Sequence, residues 1–535
     1  MTRLLGATPL LLLWALPLGI ALVAFALSVF NESYWHALFL HPQLWPALGL
    51  SLWTGTASTL ASLVLALIIS AGLHRRRIWG QMQTMASAGL ALPHLTFAIG
   101  FGFLIMPSGL VARVVVGGDA PPAWVSVQDP AGLSLIAALV LKEVPFLVAM
   151  IWNIMARGDF ARSLDGQWRA ARSLGHGAGS IWFRVVQPQI LRRFIWPIVI
   201  VWVYGSTVVD MALVIGPTQP PTWAVAVWHD LNDVDPTING RGAAGAVFLS
   251  IMLMSVGSLA AFIAVLTSRW LRTWFSQGPS LSRAPTLGSG LSLGLIAIIY
   301  TAVLAVLIVM AFAARWPYPQ VWPGHFRLAA VDQLLSNPAP LLLSIGLGLA
   351  VTIAALMICV VWFETQAQRH DRWFLWFALA ALALPQLLVA SGQYRALLTA
   401  DLTASLPGLF LVHLTPVLAY AVIVLTGPYR AFDERYAAVA RSLRAGSAKI
   451  WWRVKAPLLR GPLLTAAAVG FAVSMVQFVP AQLVAAGRYA TLPMEAVTLS
   501  SGGNRSLTAT YALAMTLPPL LGFAIAGLAG RPRWR

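Results

Sequence analysis

The sequence predicts an all-α membrane protein, with twelve transmembrane helices in two parallel six-helix repeats. Three observations predict it. The 535 residues are 59% hydrophobic and only 10% charged, with a mean hydropathy of +0.78, whereas a soluble domain carries about 25% charged residues. The apolar residues gather into runs of about 20, the length of a helix that crosses a bilayer. And one basic stretch occurs twice, as ARSLGHGAGSIWFRVVQP from Ala171 to Pro188 and as ARSLRAGSAKIWWRVKAP from Ala440 to Pro457. An internal repeat of this kind outranks local signals, because it sets the plan of the whole chain.

Taken in order, the apolar runs lie near 9–30, 47–71, 85–106, 133–156, 194–216, 243–267, 289–313, 340–363, 373–390, 405–426, 462–486 and 508–529. The first follows Arg3 and has no clear small-residue cleavage site before further spans follow, so it is expected to be retained. With the N-terminus in the cytoplasm, 27 of the 35 Lys and Arg residues fall on the cytoplasmic side, mainly within 157–193 and 430–460. The excess of cations in cytoplasmic loops places both termini inside.

Corresponding spans share residues. SLWTGTASTLASLVLALIIS of the second resembles SIGLGLAVTIAALMICVVWF of the eighth, with Ser51 opposite Ser344. Leu92-Pro93-His94 of the third matches Leu384-Pro385-Gln386 of the ninth, and Lys142 and Pro145 of the fourth match His413 and Pro416 of the tenth. The first half has an extra external segment, roughly 107–132, rich in Gly and Pro. Both halves run in the same direction, which makes the repeat parallel. The division expected is 1–267 for the first half, 268–288 for a cytoplasmic linker with Gly, Pro and Ser, and 289–535 for the second half.

Composition also excludes functions. The formal charge of +18 is spread over loops as a membrane protein requires, so nucleic-acid binding is not expected. Cys359 is alone, so no disulfide framework or thiol cluster can form. The nine His include no His-x-x-x-His pair, so no metal site is expected. A phosphate-binding loop needs Gly-Lys-Ser/Thr, yet Lys142 precedes Glu143, Lys449 precedes Ile450 and Lys455 precedes Ala456. The chain is therefore not expected to hydrolyse ATP or to hold a cofactor.

The repeated stretch has the physics of an elbow. Leu164, Trp168, Ala171 and Leu174 share one helical face, as do Phe432, Tyr436, Val439 and Leu443 in the second copy, and such a face needs an apolar partner. Gly175 and Gly177, or Gly446, break the helix, and Pro188 or Pro457 punctuates the approach to the next span. A surface helix held at the headgroups by Arg and Trp fits the same pattern. Two equal elbows on one side favour a two-fold partner.

These stretches resemble the EAA loops of ABC importer permeases, one per half: Glu-Ala-Ala, three residues, Gly, then a Pro. Ala170, Ala171, Gly175 and Pro188 stand at those places in the first copy, and Ala440 and Pro457 in the second. Arg169 and Ala438 occupy the Glu place, Arg444 the second Gly place, with Gly446 close by. With both halves in one chain, the layout is most similar to the fused permeases of ferric-iron and thiamine importers, the YnjC-like permeases included. The resemblance implies a type I importer fold in the bacterial inner membrane and a permease subunit that moves a small solute by alternating access. It implies three partners: a cytoplasmic ABC ATPase dimer, which would hold ATP and Mg, a periplasmic or extracellular substrate-binding protein, and the lipid bilayer. ATPase coupling is then expected at Arg169, Ala170, Ala171, Leu174, Gly175, Trp182, Arg184 and Pro188, and at Ala440, Leu443, Arg444, Gly446, Trp451, Arg453 and Pro457. An ion-coupled secondary transporter of twelve spans is the alternative, although HRRRIWGQMQ after the second span lacks the Gly-x-x-x-Asp-Arg pattern of such carriers.

Ionisable residues inside spans are costly and mark candidate substrate paths. Here they are Lys142, Glu143, Asp210 and His413, with Gln477 at the place corresponding to Asp210. Interhelical pairing, for instance of Lys142 with Asp210, is the competing reading.

Overall fold

The computed structural model describes residues 30–82, 91–156, 158–277 and 286–530, together with Gly19, Val23 and Gly89. The expected first span, the start of the third, the middle of the linker and the C-terminal arginines lie outside the described residues. Among those described, the fold is all-α apart from two short antiparallel strands, Ala313–Arg315 and His325–Phe326. Among the described residues, eight helices are long and apolar enough to cross a membrane, from Leu44–Leu73 to Arg505–Ala529, and three bent helix pairs raise the number to as many as eleven.

The bends have causes written in the chain. The expected ninth span turns by 102° between Gln368–Ala383 and Gln386–Thr399. There Leu384 and Pro385 are extended, because proline has no N–H to donate and disfavours helix in the residue before it. Within the expected fifth span, the helix Ile195–Thr207 stops at an extended Val208 and restarts as Asp210–Ile215. The expected eleventh breaks likewise, between Arg460–Met475 and Val479–Ala485. Breaks at membrane depth survive only where protein or a water-filled path surrounds the freed backbone groups.

The chain folds as two compact units. One gathers Leu38–Val227 and Gly245–Phe326; the other gathers Trp228–Ala244, the chain from Arg327 onward and the described residues before Leu38. The helix Thr286–Phe312, the expected seventh span, belongs to the first of these. Ser289 Oγ donates to Ile68 O at 2.6 Å, Tyr300 Oη donates to Leu141 O at 3.2 Å, and Gly100 lets the helix Val303–Leu307 stretch approach closely.

Each unit contains the same buried contacts. In the first, Ser51 Oγ accepts the Trp223 N–H at 2.9 Å; in the second, Ser344 Oγ accepts the Leu492 N–H at 2.8 Å. Gly55 packs on Ser206, and at the matching place Gly348 packs on Phe471, where a Cβ would come within 3.0 Å of the ring. Gly348 of the GLGLA stretch thus serves close helix packing, as small residues do in membranes, whereas a Cβ at Gly346 would meet nothing within 4 Å.

Candidate functional site

Each elbow opens with a polar helix, Gly158–Ser173 in one unit and Glu434–Ser442 in the other. Both helices end in the same way. In the first, Gly175 N–H donates to Arg172 O at 3.0 Å and His176 N–H to Ala171 O at 3.1 Å; in the second, Arg444 N–H donates to Arg441 O at 2.9 Å and Ala445 N–H to Ala440 O at 3.2 Å. This bond pair is a Schellman cap, which needs a left-handed residue one place beyond the helix. Gly175 supplies it at φ +83° and Arg444 at φ +58°. Gly446 does not stand in for the missing glycine. It caps the next short helix at φ −69°, ψ 158°, as Gly177 does at φ −70°, ψ 156°.

A π-helical turn follows in both copies, Trp182–Val186 and Trp451–Lys455. Gln187 N–H reaches back to Trp182 O, and Ala456 N–H to Trp451 O. Pro188 and Pro457 lie just beyond. A proline ring clashes with the carbonyl four residues earlier, and the wider turn moves that carbonyl aside. The chain then bends by 64° into Ile195–Thr207 and by 79° into Arg460–Met475.

The residues expected to couple the elbows lie as follows. Arg169, Ala170, Leu174 and Gly175 are exposed, Ala171, Arg184 and Pro188 half-buried, and Trp182 fully buried. Leu443, Arg444, Gly446, Arg453 and Pro457 are exposed, Ala440 and Trp451 half-buried. Both apolar faces differ from expectation, the first at Leu174, which is exposed while Leu164 is buried, and the second more widely. Ala437 points inward at 0% exposure, while Tyr436, Val439 and Leu443 remain exposed. The short helix is anchored through its small alanine, which lets it sit closer than bulky residues allow.

The first elbow packs on the end of the second span. His74 lies between Trp168 and Trp182, with ring centroids 4.8 Å from each. Arg75 pairs with Asp165 at 2.7 Å and covers Trp168. Burial pushes the His74 imidazole down to about 4, so it is neutral near pH 7, with Nδ1 facing Ala71 O at 3.2 Å. The second elbow rests on ion pairs. Lys455 Nζ lies 2.9 Å from Glu364 and 2.9 Å from Glu434. Tyr429 Oη donates to Glu364 at 2.6 Å and accepts from Trp451 Nε1 at 3.0 Å. Arg430 grips Asp371 with two hydrogen bonds, of 2.6 and 2.8 Å.

The expected path residues divide into two kinds. Lys142 is 1% exposed, and its ammonium donates to Gly89 O at 2.9 Å and Leu92 O at 2.6 Å. It serves the backbone at the break of the third span and does not pair with Asp210. His413 Nδ1 lies 2.9 Å from Ser474 Oγ, between helices of one unit. Glu143, in contrast, lies 3.4 Å from His94 Nε2, on a histidine whose side chain is one-third exposed. Asp210 is within electrostatic reach of the same imidazole, and Tyr204 meets it edge to face at 5.0 Å. At the matching place in the other unit, Gln386 Nε2 donates to Gln477 Oε1 at 3.1 Å.

Comparison with known proteins decides the family. The chain is 30% identical over 539 residues to the inner membrane ABC transporter permease protein YnjC of Escherichia coli K12, covering 98% of each. The chain belongs to the inner-membrane ABC transporter permeases. It is also 25% identical to the thiamine transport system permease protein ThiP of Salmonella typhimurium, over 90% of this chain and 88% of that one. The ThiP of Escherichia coli K12 is 25% identical over 91% of each. No family model matches the chain. The permease is a multi-pass inner-membrane protein and the transport subunit of an ABC importer.

Sequence reasoning missed several residues of this permease. His94 and Gln386 were in view as parts of the repeated Leu-Pro-His and Leu-Pro-Gln blocks. Their polar character directly after a helix break was the signal. Glu364, Asp371, Tyr429 and Arg430 carried no local signal of pairing. The scarcity of lysine, three in the whole chain, was the one hint that Lys455 holds a specific partner.

Proposed function

We propose that this permease is driven by a separate dimeric cytoplasmic ATPase, whose two sockets each receive one elbow. On this reading, twelve spans form two parallel repeats, 1–267 and 289–535, joined by 268–288, with both termini cytoplasmic. The seventh span is lent to the unit that holds most of the first repeat. ATP-driven closure of the ATPase swings the halves between outward- and inward-facing states, and a soluble binding protein delivers a small solute to the outer face. Hydrolysis of ATP with Mg takes place on the partner. The relatives named for thiamine transport make thiamine the first solute to test.

The observation that carries this reading is the duplicated tip. Two stretches of different sequence keep one Schellman cap, one π turn and one exposed leucine, Leu174 or Leu443. A single exposed leucine is ordinary on a protein surface; its recurrence at the same place on the same turn is what supports a shared contact. We assign the path to the polar groups beside the broken helices, His94, Glu143 and Asp210 in one unit and Gln386 and Gln477 in the other, since discontinuous helices frame solute sites in transporters. Lys142 and His413 serve packing.

The test is to express the chain with its neighbouring genes, solubilise it gently and assay ATP hydrolysis. An ATPase should co-purify, and Leu174→Asp with Leu443→Asp should abolish its coupling to uptake while the chain still inserts. Uptake by the purified chain in liposomes with only an ion gradient would replace this reading with a secondary transporter.

A further inference from the structure

We infer that the coupling interface of this permease is inverted in charge: each elbow presents guanidinium groups beside an exposed leucine, and the ATPase socket that receives it is rimmed with carboxylates. The inference rests on the reading of the elbows as ATPase docking points.

The place that holds Glu in the EAA pattern holds Arg169 in one elbow and Ala438 in the other. Arg169 and Arg172 are exposed on the first tip, Arg441 and Arg444 on the second. Three acids of the elbows are engaged elsewhere. Asp165 is held by Arg75 at 2.7 Å and Glu434 by Lys455 at 2.9 Å, while Asp433 accepts the Arg435 N–H at 3.0 Å. Among the described residues no carboxylate pairs with any of the four tip arginines; Arg169 and Arg172 reach only the backbone carbonyls of Asp165 and His176, at 3.4 Å each. Each tip therefore offers two exposed arginines that no described carboxylate engages, and the second adds the exposed Lys449.

The arginines exchange places without a change in number. The first tip has them at 169 and 172, the second at 441 and 444, which correspond to 172 and 175. The second tip gains Arg444 at the left-handed position, φ +58°, which an L side chain adopts at a cost, and loses the charge at Ala438. Leu174 and Leu443 keep matched exposures of 76% and 78%. A lipid surface takes up cations and an exposed leucine in many arrangements and makes no demand on the turn that sets their places. A socket with an apolar floor and an acidic rim reads all three.

The test uses the full chain with its ATPase in nanodiscs of phosphatidylcholine. Reversal of all four arginines to Glu should lower ATPase recovery about tenfold or more, since like charges brought together at an interface are strongly unfavourable. The four Arg→Gln changes should give an intermediate loss, and Asp or Glu→Arg changes in the socket should restore the reversed chain. A single symmetric peak on size exclusion verifies folding. Undiminished recovery with the reversed chain, alongside loss with Leu174→Asp and Leu443→Asp, would show a socket that reads shape alone and overturn the inference. A loss seen only when phosphatidylglycerol is added to the discs would assign the arginines to lipid and overturn it too. Absence of any ATPase with the unsubstituted chain would instead sink the functional reading on which the inference stands.

Discussion

The first elbow is clamped to its unit by apolar and aromatic side chains, whereas the second is held by a partly buried ionic network. Ile181, Trp182, Val186, Ile190 and Phe194 of the first are all at most 2% exposed. At the place of Val186 the second has Lys455, bound by Glu364 and Glu434, and its Trp452 stands 70% exposed. Yet both follow one backbone path, through the same cap and the same π turn. The shape of the tip is thus a local property, fixed by a left-handed residue and a proline, while the anchoring beneath it is free to differ. Burial of a large apolar side chain contributes about 1.5–3 kcal/mol. A buried ion pair contributes little beyond its desolvation cost, but loss of one partner leaves the other charge stranded.

The sharpest way to test that contrast is to strand a charge where the helix leading into the second elbow ends, at Arg430. Arg430→Met leaves Asp371, whose side chain is 7% exposed, without its counter-charge and with only the Trp362 Nε1 donor at 3.0 Å, at an expected cost of about 3 kcal/mol. Arg430→Met with Asp371→Leu should recover most of it. Thermal unfolding in detergent reads both, and a loss under about 1 kcal/mol for the single change would break the distinction between the elbows.

Matched tryptophans give the next test. Trp182 is fully buried, so Trp182→Ala should cost about 3–5 kcal/mol. Trp451 is half-buried and gives one hydrogen bond to Tyr429, so Trp451→Ala should cost about half as much. Equal costs would mean that the second elbow is as apolar in its anchoring as the first.

The legibility of the two elbows in the sequence differed for the same physical reason as their anchoring. The repeat, the spans and the elbow boundaries follow from patterns within about 20 residues: apolar period, glycine, proline and the positions of Arg. Leu164 and Trp168 of the first elbow could be placed facing inward in this way, since a helix period states which side is apolar. The inward turn of Ala437 could not, because alanine yields to larger neighbours in any such pattern. The ion network was out of reach altogether: Lys455 and Glu364 are 91 residues apart, and no period links them. The same holds for the polar site, where Lys142 and Asp210 were weighed as a pair, but backbone carbonyls freed at Pro93 claim the lysine. A helix break creates acceptors that a list of ionisable residues does not contain. His94 was overlooked because its role depends on Glu143 and Asp210 arriving from two other spans.

A smaller effect separates the elbows by pH. His74 titrates at about 4 in the folded chain, down from 6.5, chiefly through burial. Between those values the unfolded segment binds a proton that the folded one excludes, so stability falls as pH drops from about 6.5 to about 4, by up to about 3 kcal/mol. Hydrogen exchange over 160–190 should quicken across this window, and His74→Leu should flatten the response. A response of the same size over 434–458 would show that the histidine is not its source.

The smallest effect concerns the one residue at which the two tips differ in backbone cost. Arg444 holds φ +58° where Gly175 holds φ +83°, and glycine adopts that region freely while an L side chain pays about 1 kcal/mol. Arg444→Gly should therefore stabilise the second tip by about 0.5–1 kcal/mol, less than the full relief because glycine also loosens the unfolded chain. Gly175→Arg should impose a similar cost on the first. Both are read as shifts in exchange at the cap amides 174–176 and 443–445. If the tip arginines meet acidic sockets, Arg444→Gly should weaken ATPase recovery even as it steadies the turn. A variant that gains stability and loses coupling separates what the arginine does for the partner from what it costs the fold. A gain in both would mean that Arg444 is tolerated at the tip rather than used there.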